Sequence, residues 1–168
     1  MTIILPHELT IARATESHRP ILEALWTMFR HEMSAFTPAL PDATGRFRQE
    51  RLERALTDSA WAGYLLRSGD IPVGFALVRG LDAPERVINS FFLVHGTRRA
   101  GHGRAAIRAI TLRHPGTWAV AFQDTNIAAK RFWRSVATDA DPRWSLTHED
   151  VPGRPDLPAD SWIRFRAG

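Results

Sequence analysis

Apolar side chains at Leu22, Leu25, Trp26, Phe29 and Met33 recur three or four residues apart, a spacing that lays one stripe along a helix. Pro20 suits the first turn of that helix and Ser17 is its candidate N-cap; the pattern predicts helix to about Ala35. A strand is expected before it, over residues 10–15. Residues 37–45 hold Pro38, Pro41 and Gly45 and predict a loop. A more polar helix is expected over 46–59. β-Compatible runs at 61–67 and 71–79 flank Ser68, Gly69 and Asp70, whose chemistry predicts a hairpin turn. A strand at 86–94, a helix at 103–114 stopped by Pro115 and Gly116, a strand at 117–122 and a helix at 126–137 follow. Strands at 143–148 and 161–166 flank a proline-rich loop at 151–158. The order β-α-α-β-β-β-α-β-α-β-β predicts an α/β protein, a three-layer α/β/α sandwich in one domain over residues 1–168.

Composition narrows the function classes. A chain of 168 residues with 44% hydrophobic and 24% charged residues has the make-up of one globular domain with a real core. No apolar run approaches the roughly 20 residues that span a bilayer, and the start lacks the basic flank and long apolar stretch of a signal peptide; a cytoplasmic location without membrane contact is expected. Without cysteine there is no disulfide, thiolate nucleophile or Cys-based metal site. His31-Glu32 lacks the second histidine of a zinc helix, and His148-Glu149-Asp150 has the wrong spacing, so no metal is expected. Net charge is +4, and Lys130 is the only lysine. The arginines are scattered among acids, as over 48–54, rather than clustered with aromatics. That pattern argues against a nucleic-acid partner.

The crossing from strand to helix near residue 100 is different. Gly96, Gly101 and Gly103 stand among Arg98, Arg99 and Arg104. The first amides of a helix have no internal partners and carry a positive dipole end. Glycine lets a ligand approach the backbone, and arginines supply charge for phosphate oxygens. Two specific readings fit. Gly101-His102-Gly103-Arg104-Ala105-Ala106 matches the dinucleotide pattern G-x-G-x-x-A, with Asp124 roughly 20 residues on. Residues 95–100, however, separate it from its strand, and too little chain follows for a second half. An NAD-binding oxidoreductase is the remote alternative.

The second reading is a family resemblance. Leu93-x-His95-x-x-Arg98-x-x-Gly101-x-Gly103 resembles the acyl-CoA motif V-x-P-x-x-[RQ]-x-x-G-x-[GA] of the GNAT superfamily of N-acetyltransferases. Asn126-x-x-Ala129-x-x-Phe132-Trp133 is similar to the family's second motif, N-x-x-A-x-x-[FL]-Y. The segment 69–79 is similar to the hairpin before the CoA strand. The resemblance implies a mixed, mostly antiparallel central sheet splayed between its fourth and fifth strands. It implies acetyl-CoA, or another acyl-CoA, as cosubstrate. The pantetheine arm would bond to backbone near Leu93, Val94 and His95, and the diphosphate would rest on Arg98, Arg99, Ala100, Gly101, His102, Gly103 and Arg104. Asn126, Ala129, Phe132 and Trp133 would flank the arm. The acceptor would be a small-molecule or peptide amine, entering between the loop 37–45, the end of the fifth strand and the loop before the last strand, where Trp144 and Trp162 are candidate lining residues. The protein would be a monomer or homodimer.

The chemistry needs a neutral amine, a polarised carbonyl and a leaving thiolate. A backbone amide near Val94 or His95 is the expected polariser. The family's tyrosine acid is replaced by Trp133, which donates a hydrogen bond but has no proton to give. Ser90 acting through water, Asp124 and Glu32 are the candidate catalytic residues. A module that binds acyl-CoA without turnover is the alternative from another class.

Overall fold

The computed structural model describes residues 2–4, 9–98 and 101–168. Their strands form one eight-stranded sheet in the order β1-β2-β3-β4-β5-β6-β8-β7. β1 (Ile3–Ile4) is a two-residue edge the hydrophobic pattern does not predict; it pairs with β2 (Leu9–Arg13). Leu9 and Ile11 of β2 are buried and Arg13 is exposed, the alternation of a strand with one covered face.

The expected cap at Ser17 is corrected. Thr15 opens a 3₁₀ turn over Glu16–His18, where its N–H donates to His18 Nδ1 at 3.0 Å. Ser17 Oγ bonds Thr15 Oγ1, and α1 (Arg19–Met33) starts only after this turn, with Pro20 in its first turn. α1 buries Leu22, Leu25, Trp26 and Phe29. α2 (Glu50–Thr57) is shorter than the predicted helix. Asp42 Oδ1 accepts from Thr44 N and Arg46 N and holds that segment in a turn. Trp26 Nε1 donates to Arg48 O at 2.9 Å, which fixes the carbonyl a longer helix would have used.

β3 (Trp61–Ser68) and β4 (Ile71–Arg79) form the expected hairpin, with Gly69 at φ +57° in the turn. β5 (Glu85–Leu93) pairs antiparallel with β4. Leu77 faces Ser90 and Val78 faces Ile88, so Asn89 is the extra residue of a β-bulge. α3 (His102–Arg113) leads to β6 (Gly116–Phe122), then α4 (Ile127–Ala140), β7 (Ser145–Glu149) and β8 (Asp160–Ala167).

β5 and β6 are the only parallel neighbours in the described sheet, and they pair only from Glu85↔Thr117 to Ile88↔Val120. Beyond Ile88 and Val120 the two strands no longer pair with each other, while β5 stays bonded to β4 and β6 to β8. Because the first strand of the sequence prediction is β2, β5 and β6 are its fourth and fifth: the splay lies where the resemblance puts it. One parallel pair in an otherwise antiparallel sheet is not the doubly wound parallel sheet of a dinucleotide-binding fold.

Two apolar clusters complete the layers. Leu22, Leu25, Trp26, Phe29, Leu52 and Ala55 from α1 and α2 cover one face with Trp61, Phe75, Leu77 and Phe92. Ala106, Ile107 and Ile110 of α3 and Trp133, Val136 and Ala137 of α4 cover the other. No helix of the described residues is long and apolar enough to cross a membrane.

Candidate functional site: a cleft through the splayed sheet

The parting of β5 from β6 leaves a cleft of about 340 Å³. Its floor is the edge of β5 from Asn89 onward, which has β4 on one side and no strand on the other. Such an edge keeps backbone groups that need partners, and an extended amide-bearing ligand supplies them. Side chains of paired residues share a face. Ser90 pairs with Leu77 and Phe92 with Phe75, so both look toward α1 and α2. Phe91 packs with the α3–α4 cluster instead. The cleft therefore joins the two faces of the sheet.

Toward α3 the lining ends at Phe91, Asn126, Ala129 and Trp133. The candidate residues Leu93, Val94, His95, Arg98, Gly101, His102, Gly103, Arg104 and Phe132 lie beyond it, where the structure is built from glycine and aromatic rings. Gly101, at φ +75°, is the N-cap of α3, in the left-handed region that costs other L-residues about 1–2 kcal/mol. Gly103 is buried, and a Cβ there would stand 3.0 Å from Phe132 Cε2 and 3.5 Å from Leu93 Cδ1. Its smallness thus sets how closely α3 approaches α4. Phe132 stacks on Phe91 at 5.6 Å and 8°, and Trp133 lies edge-on to Phe132 at 4.8 Å. Asn126 is 6% exposed. Its Oδ1 caps α4 by accepting from Ala129 N at 3.1 Å, which leaves its NH₂ for the cleft that Asn126, Ala129 and Trp133 line. The buried Trp133 is in no hydrogen bond among the described residues, so its indole N–H is also open to a ligand.

The charged residues at this end are partly committed elsewhere. Arg98 Nε donates to Leu93 O at 2.7 Å, and its two Nη atoms hold both oxygens of Glu32 at 2.8 Å. His95 Nε2 lies 3.2 Å from the same carboxylate. Arg98 is thus a brace between the end of β5 and α1, and Glu32 is an ion-paired carboxylate outside the cleft lining. Arg104 pairs with Asp139. His102 is the first residue of α3. Arg99 and Ala100 lie outside the described residues. Val94 N–H donates to Val73 O at 2.8 Å, so it is not free to polarise a carbonyl.

The other end, toward α1 and α2, gathers residues for which the sequence gives no signal. Arg30 of α1, Arg51 of α2 and Arg79 of β4 line it with Asp160, the first residue of β8, and Gln123. Arg30 sits against the rings of Trp26 and Phe47 at 5.7 and 5.8 Å, and its Nε is buried without a hydrogen-bond partner. Burial lowers its pKa, with help from Arg48. Arg51 is lowered by burial and then by Arg30, Arg79 and Arg48, while Asp160 opposes the shift. Burial raises the carboxyl of Asp160 above the usual range, against the pull of Gln123 and Arg51. Ser90 is 3% exposed and lines the cleft here, with Oγ bonded to Asn89 Oδ1.

Asp124 is outside the lining: Lys130 Nζ at 2.8 Å and Ser161 Oγ at 3.2 Å hold it, and Lys130 foremost keeps its carboxyl low. Trp162 lines the cleft, whereas Trp144 is turned away, donating to Thr138 Oγ1 at 3.0 Å. No group of three or more potential metal-ligating side chains occurs among the described residues.

Solved structures share this architecture. An acetyltransferase from Thermus thermophilus matches with a TM-score of 0.68 at 18% identity, with 99% of each chain covered. A ribosomal L7/L12 alpha-N-protein acetyltransferase solved in complex with coenzyme A gives 0.70 at 14% identity, covering 99% of this chain and 98% of that one. A GNAT family acetyltransferase from Elizabethkingia anophelis with acetyl-CoA bound gives 0.66 at 11% identity, covering 95% and 98%. No protein-family model and no curated protein matches the sequence. The chain has the fold of the GNAT acetyltransferases.

Proposed function

We propose that the protein is a cytoplasmic, single-domain N-acetyltransferase of the GNAT superfamily, moving an acetyl group from acetyl-CoA to a primary amine without a metal. The observation that carries this reading is the end of β5–β6 pairing at Ile88 and Val120, which opens an unpaired strand edge beside the N-terminus of α3. The amides at the start of α3 would take the diphosphate. The β5 edge and the Asn126 NH₂ would take the pantetheine amides. The close approach of Gly103 to Phe132 would bring the start of α3 near that arm.

Acetyl-CoA would supply an activated acyl carbon and a thiolate leaving group. Overall, a C–N bond forms, the C–S bond breaks, and one amine proton is lost. Asp160 is the carboxylate that lines the cleft, with no ion pair among the described residues, and we assign it the proton, directly or through water held by Ser90. The indole N–H of Trp133 can hydrogen-bond the departing sulfur, which needs no full proton because a thiol has a pKa of about 8.5. Loss of a general acid costs about 10²–10⁴-fold, so a slow enzyme is expected.

Trp133 in place of tyrosine also favours a second reading, a module that binds acyl-CoA without turnover. Calorimetry with CoA and acetyl-CoA, paired with a thiol-release assay over an amine panel, separates the two. Binding with acceptor-dependent thiol release supports the enzyme. Binding with no release on any amine supports the module, and no binding removes both.

A further inference from the structure

The arginine end of the cleft is not needed to hold the acyl donor. Arg79 pairs with Val87, six residues before Leu93 and so about 20 Å along an extended strand from the α3 bend. Arg79 also faces Trp61, which belongs to the α1–α2 cluster. Arg30 and Arg51 come from α1 and α2 themselves. The three guanidiniums thus stand on the face opposite Phe91, Phe132 and Trp133.

None of them has a carboxylate within ion-pair distance among the described residues, a state they share with arginines elsewhere such as Arg67 and Arg108. What sets them apart is that all three line one cleft, where Arg30 and Arg79 both act on Arg51. Like charges crowded in a cleft repel, and a buried guanidinium N–H without an acceptor is costly. Arg30 Nε is in that state. An anionic oxygen group would satisfy all three at once, since guanidiniums match carboxylate and phosphate geometry. Asp160 borders the same space and offers the opposite charge for an ammonium.

We propose that the acceptor is a small amine carrying its own carboxylate or phosphate, which seats on Arg30, Arg51 and Arg79 while the amine points to Asp160. The amine half of this statement rests on the acetyltransferase reading; the anion half does not.

The test uses matched acceptors in the thiol-release assay: 4-aminobutyrate against its amide, and 2-aminoethyl phosphate against ethanolamine. At least one anionic member is expected to have a KM about tenfold or more below its neutral partner. The pair that shows it distinguishes carboxylate from phosphate. Arg79→Gln should raise that KM about tenfold with kcat within twofold and leave CoA affinity unchanged. Arg51→Gln should raise the same KM without loss of CoA affinity and be partly rescued in Arg51→Lys, while its kcat is free to move because Arg51 also acts on Asp160. Equal use of neutral and anionic amines, or loss of CoA affinity in these variants, overturns the proposal. Direct titration with glutarate and inorganic phosphate needs no turnover. If either binds saturably and Arg51→Gln abolishes it, the anion seat stands even should no amine be acetylated. If neither binds while CoA does, the seat falls and the donor site stands.

Discussion

The two ends of the cleft are made in opposite ways. At the α3 end, one continuous segment, β5 through α3, supplies strand edge, bend and helix start, and its demands fall on the backbone. Glycine takes φ +75° at position 101 without strain, and a Cβ at 103 would press on the Phe132 ring at 3.0 Å. At the α1–α2 end, Arg30, Arg51, Arg79 and Asp160 arrive from four separate elements, and their demands fall on charge. Backbone demands leave short, spaced signatures. Charge assembled from distant parts of the chain leaves none. On the acetyltransferase reading, the donor seat is of the first kind and the acceptor seat of the second.

The comparison breaks most visibly at Asp160. Asp160→Asn should lower kcat/KM about 10²–10⁴-fold while CoA affinity, read by calorimetry, stays within twofold. Wild-type activity should rise with pH through a carboxyl pKa set above the ordinary ~3.9, because the ionised form is the base, and that limb should vanish in the variant. The linkage to stability has the opposite sense. A raised folded-state pKa gives stability that is full below the unfolded value and lost as pH rises through the folded one, so Asp160→Asn should be slightly more stable than wild type in denaturant at pH 7.

Gly103→Asp probes the other end and should spare the arginine end. Overpacking on Phe132 costs about 1–3 kcal/mol, and a carboxylate would be added where diphosphate is expected. CoA affinity should fall at least tenfold in a folded variant, with glutarate or phosphate binding unchanged. Trp133→Tyr sharpens the chemistry where the ends meet: with a proton donor restored, kcat should rise up to about tenfold, and Trp133→Phe should lower it. The smallest effect is expected for Glu32→Gln. Arg98 and Glu32 are about 30% exposed, 32% and 28%, so losing this pair costs about 1 kcal/mol after allowance for solvent. It should appear as a few-fold rise in KM for acetyl-CoA with kcat unchanged.

Much of the fold was legible in the sequence. The α1 stripe, the Gly69 hairpin and the order of the later elements follow from periodicity and turn chemistry, which are local. The start of α1 and the length of α2 were not legible, because His18 Nδ1 and Trp26 Nε1 decide them through side-chain contacts that periodicity does not report. Among candidate site residues, Asn126, Ala129, Trp133 and Ser90 line the cleft, Leu93, Gly103 and Phe132 pack together beyond its lining, and Glu32 and Asp124 are held in ion pairs. A carboxylate in a sequence carries no mark of its partner.

By itself the sequence determined the order of the main elements, the strand-to-helix bend and the glycines that make it, since a backbone torsion or a missing Cβ is a property of one position. The tertiary structure alone decided where β5 and β6 part, which arginines are left without partners and which acid faces them. Those are properties of distance, and distance between residues far apart in the chain exists only once the sheet has formed.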